Sequence, residues 1–251
     1  MADGTYNLYV DWNNDGDFSD SDENVTTRLL HLEWSRGRDR GSQLTGKSIS
    51  SRLTAVLDNQ SGDYSSFNTG SDIYGNLKPG RRVRLTAVAN DSFTYTFPFL
   101  FSGTSQFNGY LESIKPIARQ SGAHQVVLEA TGPMGHFGGN EVSHAHQTSV
   151  RTGTAMKAIL DAQSIPTDDS HFDAGQTTMT RFWLDRAKLL VGIRQIENTE
   201  GGFILENKDG EIAFEDRHHR MTNDEHIASA ATWSDASGAE IGYSAISQAD
   251  P

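Results

Sequence analysis

Thr5-Tyr6-Asn7-Leu8-Tyr9-Val10-Asp11-Trp12 places Tyr6, Leu8, Val10 and Trp12 on one side of an extended chain. Thr5, Asn7, Tyr9 and Asp11 fall on the other side, and this period of two marks a half-buried strand. The same period returns at Arg52–Asp58 through Leu53, Ala55 and Leu57, and at Arg82–Ala89 through Val83, Leu85 and Ala87. It returns once more at His124–Thr131, where Val126, Leu128 and Ala130 share a side. Val25–Trp34, Phe93–Ser102 and Phe107–Ile117 also read as extended. Turn formers punctuate the series at Asn59-Gln60-Ser61-Gly62, Pro79-Gly80 and Ser121-Gly122. Short strands at this spacing predict a closed or sandwiched antiparallel unit, a β-barrel or β-sandwich, over residues 1–132.

After Gly132 the rhythm changes. Residues 133–150 are rich in Gly, His and Ser and read as a linker or loop. Thr154–Gln163 has helical spacing, with Ala155 and Ile159, and Met156 and Leu160, as i, i+4 pairs, and Pro166 follows as a stop. Asp185–Thr199 reads as a second helix with Leu189, Ile193 and Ile196 on one stripe, capped by Gly201-Gly202. Phe203–Glu206 and Glu211–Asp216 form a hairpin around Asn207–Gly210. Residues 151–220 are therefore expected as a small α+β domain. Residues 221–251 show little periodicity beyond an extended Ala239–Ser247. They read as the start of a second barrel or an inter-subunit segment, with the natural chain expected to continue. The fold class is mainly β with an α+β portion. No repeat of 20–50 residues is present, which argues against a solenoid or propeller.

The composition supports this. Among 251 residues there are 24 glycines but only 6 prolines, so Gly, Asn and Asp make the turns. Cysteine is absent, which removes disulfides, thiolate metal sites and Cys nucleophiles. The opening residues have neither the basic nor the apolar region of a secretory leader. No apolar run approaches the roughly 18 residues a membrane helix needs, so no membrane anchor is expected. A formal charge of -12 argues against a protein built to grip phosphates.

The sharpest local signal is Asp11-Trp-Asn13-Asn-Asp15-Gly16-Asp17-Phe-Ser19-Asp-Ser-Asp22. Oxygen donors occupy positions 1, 3, 5, 7, 9 and 12 of this loop and glycine occupies position 6, the spacing that wraps calcium in oxygens. Asp11, Asn13, Asp15, Asp17, Ser19 and Asp22 are the candidate ligands of a structural calcium ion pinning a hairpin tip. Position 12 is Asp22 where an EF-hand prefers Glu, although Glu23 is adjacent, and the flanks are strands. The competing reading is an Asx-rich turn whose carboxylates cap backbone amides and face water.

Catalytic signatures are missing. There is no Gly-x-Ser-x-Gly elbow, no His-Glu-x-x-His and no Walker-type loop. His144-x-His146 and His218-His219 lack helical metal-ligand spacing and read as surface histidines. Glu215-Asp216 is a pair that 33 acidic residues produce easily. Arg36-Gly-Arg38-Asp-Arg40 reads as ion-pairing across a subunit interface. No enzymatic activity is expected.

Several runs are familiar together. Trp34-Ser-Arg36-Gly37-Arg38, Arg52–Asn59, Gly62-Asp63-Tyr64-Ser65 with Phe67-Asn68, and Tyr74-Gly75-Asn76-Leu77 with Pro79-Gly80-Arg81 resemble tail proteins of long-tailed bacteriophages. Phe101-Ser-Gly103, Gly109–Ile114 and Val127–Gly132 agree, and Thr152–Arg217 is similar to the α+β insertion of baseplate hub proteins. The resemblance covers about residues 5–220. It implies a tail-tube-like barrel and a homotrimer joining a hexameric tail tube to a threefold tip, with two barrels per chain. It also implies neighbours among tail-tube or distal tail, tape-measure and tip or fibre proteins. DNA would pass through the lumen without sequence-specific binding. The location implied is the virion tail, assembled in the host cytoplasm. The Asp11–Glu23 loop is similar to calcium loops of bacterial adhesin-type sandwiches. The alternative is therefore a calcium-dependent receptor- or glycan-binding module using Trp12 and Phe18.

Overall fold

The computed structural model describes residues 4–38, 47–89, 104–117, 124–222, 233–234 and 241–242. The strand expected over Phe93–Ser102 lies outside these residues, as do Asp39 and Arg40 and nearly all of the 223–251 segment.

Six strands form the first unit: β1 (Gly4–Val10), β2 (Leu29–Arg38), β3 (Ser48–Asp58), β4 (Arg82–Ala89), β5 (Thr104–Ile117) and β6 (Gln125–Thr131). They make one antiparallel sheet in the order β1-β4-β5-β6-β3-β2. Register follows the period-two pattern. Leu8 lies opposite Leu85 and Val10 opposite Val83, while Leu53, Ala55 and Leu57 face Ala130, Leu128 and Val126. These side chains fill one buried cluster with Trp12, Val25, Tyr64, Phe107 and Leu111. The sheet curls until its two edges meet. Tyr6 of β1 and Trp34 of β2, from opposite ends of the strand order, bring their rings to 5.0 Å. Among the described residues the edges do not pair as strands, which leaves a seam. Tyr6, expected inside, is 38% exposed because it sits on that seam, whereas Leu8, Val10 and Trp12 are fully buried.

The chain crosses the seam between Asp11 and Arg28. Glu23 and Val25 first return alongside β1, through Val10 N–H to Glu23 O at 2.9 Å and Val25 N–H to Leu8 O at 3.0 Å. A 3-10 turn at Thr26–Arg28 follows, so β2 starts at Leu29 and not at Val25.

The second unit holds α1 (Pro133–Phe137), β7 (Glu141–Arg151), α2 (Thr152–Ala162), β8 (Thr167–Phe172), β9 (Thr178–Lys188) and α3 (Leu189–Glu200). It continues with β10 (Phe203–Glu206), β11 (Ile212–Glu215) and α4 (His219–Thr222). Residues 133–150, expected as a linker or loop, are instead α1 and most of β7. Met134 and Val142 are buried in the second core, and Leu189 and Leu190 N–H groups donate to Asn140 O and Gly138 O. β7 pairs antiparallel with β9, and this ribbon claims Asp185–Lys188, where a helix was expected. Ala187 and Lys188 lie opposite Val142 and Glu141, so the helix begins at Leu189. It ends at Gly201 in the left-handed conformation. β10 and β11 form the expected hairpin, with β8 added in parallel to β11. β12 (Trp233–Ser234) and β13 (Ile241–Gly242) pair in parallel. No helix among the described residues is long and apolar enough to cross a membrane.

Candidate cation centre

The acidic loop leaves β1 at Asp11 and is wound by its own side chains. Asp11 is fully buried; its Oδ1 accepts from Asn14 N at 2.5 Å and its Oδ2 from Gly16 N at 3.1 Å. Asn13 Oδ1 accepts from Asp15 N, Asp15 Oδ1 from Asp17 N, and Asp17 Oδ1 from Ser19 N, all at 2.8–3.0 Å. Each residue thus caps the amide two positions on. Gly16 turns the chain at φ +94°, where a side chain is strained. The tip is clamped to β4: Arg82 Nη1 donates to Gly16 O at 3.1 Å, and Phe18 lies under Arg84, 4.3 Å from its ring centre.

Carboxylate oxygens of Asp11, Asp15 and Glu23 lie within 4.8 Å of one another. Of the six residues expected from the loop pattern, Asp11 and Asp15 are in this cluster. Asn13 sits beside it, its Nδ2 donating to Asp15 and Asp20 at 2.8 Å. Asp17 and Ser19 bond to each other on the exposed side, and Ser19 amide and hydroxyl hold the Asp17 carboxyl below its ordinary value. Asp22 is exposed and outside the cluster. Its expected place is taken by Glu23, the thirteenth residue of the loop. The Asp20–Glu23 turn, closed by Glu23 N–H to Asp20 O at 3.2 Å, adds one residue and points Asp22 outward. Glu23 was legible by a different rule. It precedes buried Val25 by two in an extended segment, so both face inward.

Glu23 is 1% exposed. Its Oε2 accepts from Asp20 N at 3.1 Å, but its buried Oε1 has no hydrogen-bond partner among the described residues. A buried carboxylate oxygen without a donor is costly. Burial pushes the Glu23 carboxyl up to about 7, against the Asp20 amide and helped by the charges of Asp11, Asp20 and Asp15. With their oxygens within 4.8 Å, the carboxyl groups of Asp11 and Glu23 repel each other when both are ionised. The cluster is preorganised, offers only oxygen donors and leaves Glu23 Oε1 unmatched, which suits a hard cation.

The other candidates resolve differently. His144 is half-buried and His146 exposed, 5.9 Å from the Trp183 ring. His218 is exposed, but His219, expected on the surface, is 6% exposed with Nδ1 2.7 Å from Asp173 Oδ2. Asp216 accepts from Gln176 Nε2 at 2.7 Å and is structural. Arg36 Nη1 donates to Gln106 O at 3.0 Å within the chain.

No protein-family model matches the chain, and no curated protein matches it by sequence. Solved structures do. The 43 kDa tail protein of prophage MuSo2 from Shewanella oneidensis matches with a TM-score of 0.53 at 9% identity, over 85% of this chain and 53% of that one. A tail protein from Neisseria meningitidis MC58 matches with a TM-score of 0.50 at 9% identity, over 83% of this chain and 50% of the other. The chain shares its fold with these two tail proteins. The chain spans about half the length of the tail proteins it matches. Within the tail-protein fold, the acidic loop occupies the crossing over the barrel seam.

Proposed function

We propose that this chain is a structural component of a phage tail tip, a hub that joins the hexameric tail tube to a threefold tip and surrounds the path of the DNA. The observation that carries the reading is a match to the tail-protein fold across 85% of the chain, spanning the curled sheet and the α+β unit after it. Three chains would assemble around the tail axis, contacting the tail tube or distal tail protein, the tape-measure protein and tip or fibre proteins. The role is architectural and not enzymatic, and the site of action is the virion tail, assembled in the host cytoplasm. An acidic lumen suits this task because a wall that repels phosphates lets DNA slide.

A calcium-dependent glycan-binding module would need aromatic platforms beside the acidic loop. Trp12 is fully buried against Tyr64, and Phe18 is covered by Arg84 and Tyr9. That geometry favours the structural role. Light scattering on the purified chain tests it, and the mass expected is three times the 27.5 kDa of one chain. A strict monomer at micromolar concentration would overturn the hub reading.

A further inference from the structure

We infer that Asp11, Asp15 and Glu23 bind a single calcium ion that locks the loop across the barrel seam, with Glu23 and not Asp22 closing the site. This inference stands apart from the tail-tip reading, because it rests on the loop alone. Two independent observations meet in it. Three carboxylates converge within 4.8 Å, and the buried Glu23 Oε1 has no donor among the described residues to satisfy it. A cluster held only for solubility would turn its charges to water. Asp11 and Glu23 are instead 0% and 1% exposed, so the fold has desolvated two like charges side by side. A divalent cation supplies the missing partner for Oε1 and cancels the repulsion.

The chemistry selects the ion. Hard oxygen donors and no nitrogen or sulfur favour calcium or magnesium over zinc or copper. A loop of Asx turns leaves the donor set adaptable, which suits the larger and less rigid coordination of calcium. Calcium needs further oxygens beyond these three carboxylates, which water would supply. Bound there, the ion ties the end of β1 to the Glu23–Val25 segment that returns beside it. It thereby anchors the crossing that leads to β2 at the other edge.

Terbium replaces calcium in oxygen sites, and Trp12, next in sequence to Asp11, serves as the donor for its sensitised emission. The full chain, stripped with chelator, is titrated with terbium chloride, and then with calcium chloride as competitor. Thermal unfolding is followed in parallel with calcium or magnesium at equal concentration. The expected results are saturable one-to-one emission displaced by calcium, and a melting temperature raised by calcium more than by magnesium. Glu23→Gln should weaken binding at least tenfold while raising the metal-free melting temperature, because it removes a buried repulsion. Asp22→Asn should leave affinity within about twofold. Absence of sensitised emission together with no calcium-dependent shift in the wild type would overturn the site. Equal loss in Asp22→Asn and Glu23→Gln would overturn the assignment of Glu23.

Discussion

Glu206, at the end of β10, shows what one buried carboxylate does when its partners are complete. Its Oε2 accepts from Ser51 N and Ser51 Oγ, both at 2.6 Å, and its Oε1 from Met134 N at 2.5 Å and Ser50 Oγ at 3.2 Å. These donors belong to β3 and α1, so a side chain of the α+β unit is bolted into the barrel. The contrast with Glu23 is instructive: both are buried, but only Glu206 has donors on both oxygens. Glu206→Gln keeps the shape yet points an amide NH2 at backbone donors. Leaving a buried N–H group unmatched costs about 1–3 kcal/mol. For a chain of this size the melting midpoint should fall by roughly 5–10 °C. Ser50→Ala removes the longer contact to Glu206 together with the Ser50 hydroxyl's contacts to Gly135 N at 2.9 Å and Thr131 Oγ1 at 3.2 Å, but it leaves both backbone N–H donors of Glu206 matched and should cost less. Calorimetry on the two variants checks this, and an unchanged midpoint in Glu206→Gln would remove Glu206 as the bolt.

At the scale of elements, the helices were legible where apolar spacing was dense, and the ribbon was not. α2 and α3 bury Ala155, Met156, Ile159 and Leu160 against Leu189, Ile193 and Ile196, all of which the i, i+4 pattern picks out. β7 and β9 form a long two-stranded ribbon in which only Val142, Phe182 and Leu184 are buried, so most of its side chains carry no period-two signal. Its Ser, His, Gln and Thr residues pair through the backbone, and backbone pairing is invisible to a hydrophobic pattern. The loop pattern located two of the three clustered carboxylates, Asp11 and Asp15, but a one-residue turn insertion put Glu23 in place of Asp22, which residue spacing cannot anticipate. Glu200, the last residue of α3, is another element-level device. It accepts from Thr152 Oγ1 at 2.7 Å, Thr177 N at 2.8 Å and Gln176 N at 3.2 Å, and so joins the start of α2 to the end of α3. Burial pushes its carboxyl up, but these hydrogen bonds outweigh burial and hold it below its usual value of 4.5. Arg217 Nε, 3.6 Å from Oε1, adds an attractive charge. A carboxyl that is more acidic when folded stabilises the protein above its unfolded value, and that contribution is lost as pH falls through the lower folded value. The stability gap between wild type and Glu200→Gln should therefore be constant from neutral pH to about pH 5 and shrink below pH 4.5. A gap that is the same at pH 3 as at pH 7 would show that the charge of Glu200 contributes nothing.

At the scale of the molecule, two cores share one interface. The barrel cluster is built from β1 to β6, and the second cluster from the helices, the ribbon and the small sheet. Each could be a cooperative unit alone, and what decides is the quality of the join. Glu206 crosses it with four hydrogen bonds, Arg194 Nη2 donates to Ser48 O at 2.5 Å, and Ser105 Oγ donates to Lys208 O at 3.0 Å. Arg194 is itself held by both oxygens of Glu197, so its reach to β3 is rigid. Severing such a join would strand a buried carboxylate and several backbone donors, at a cost comparable to a sizeable share of a domain's net stability of about 5–15 kcal/mol. Unfolding the barrel while the α+β unit stays folded would incur that cost, so the intermediate should not be populated. Scanning calorimetry should give one peak with calorimetric and van't Hoff enthalpies in agreement. Glu206→Gln should shift that peak as a whole and leave it single, since the remaining contacts still link the cores. Two resolved peaks in the wild type would mean that the α+β unit rides on the barrel as a separate body.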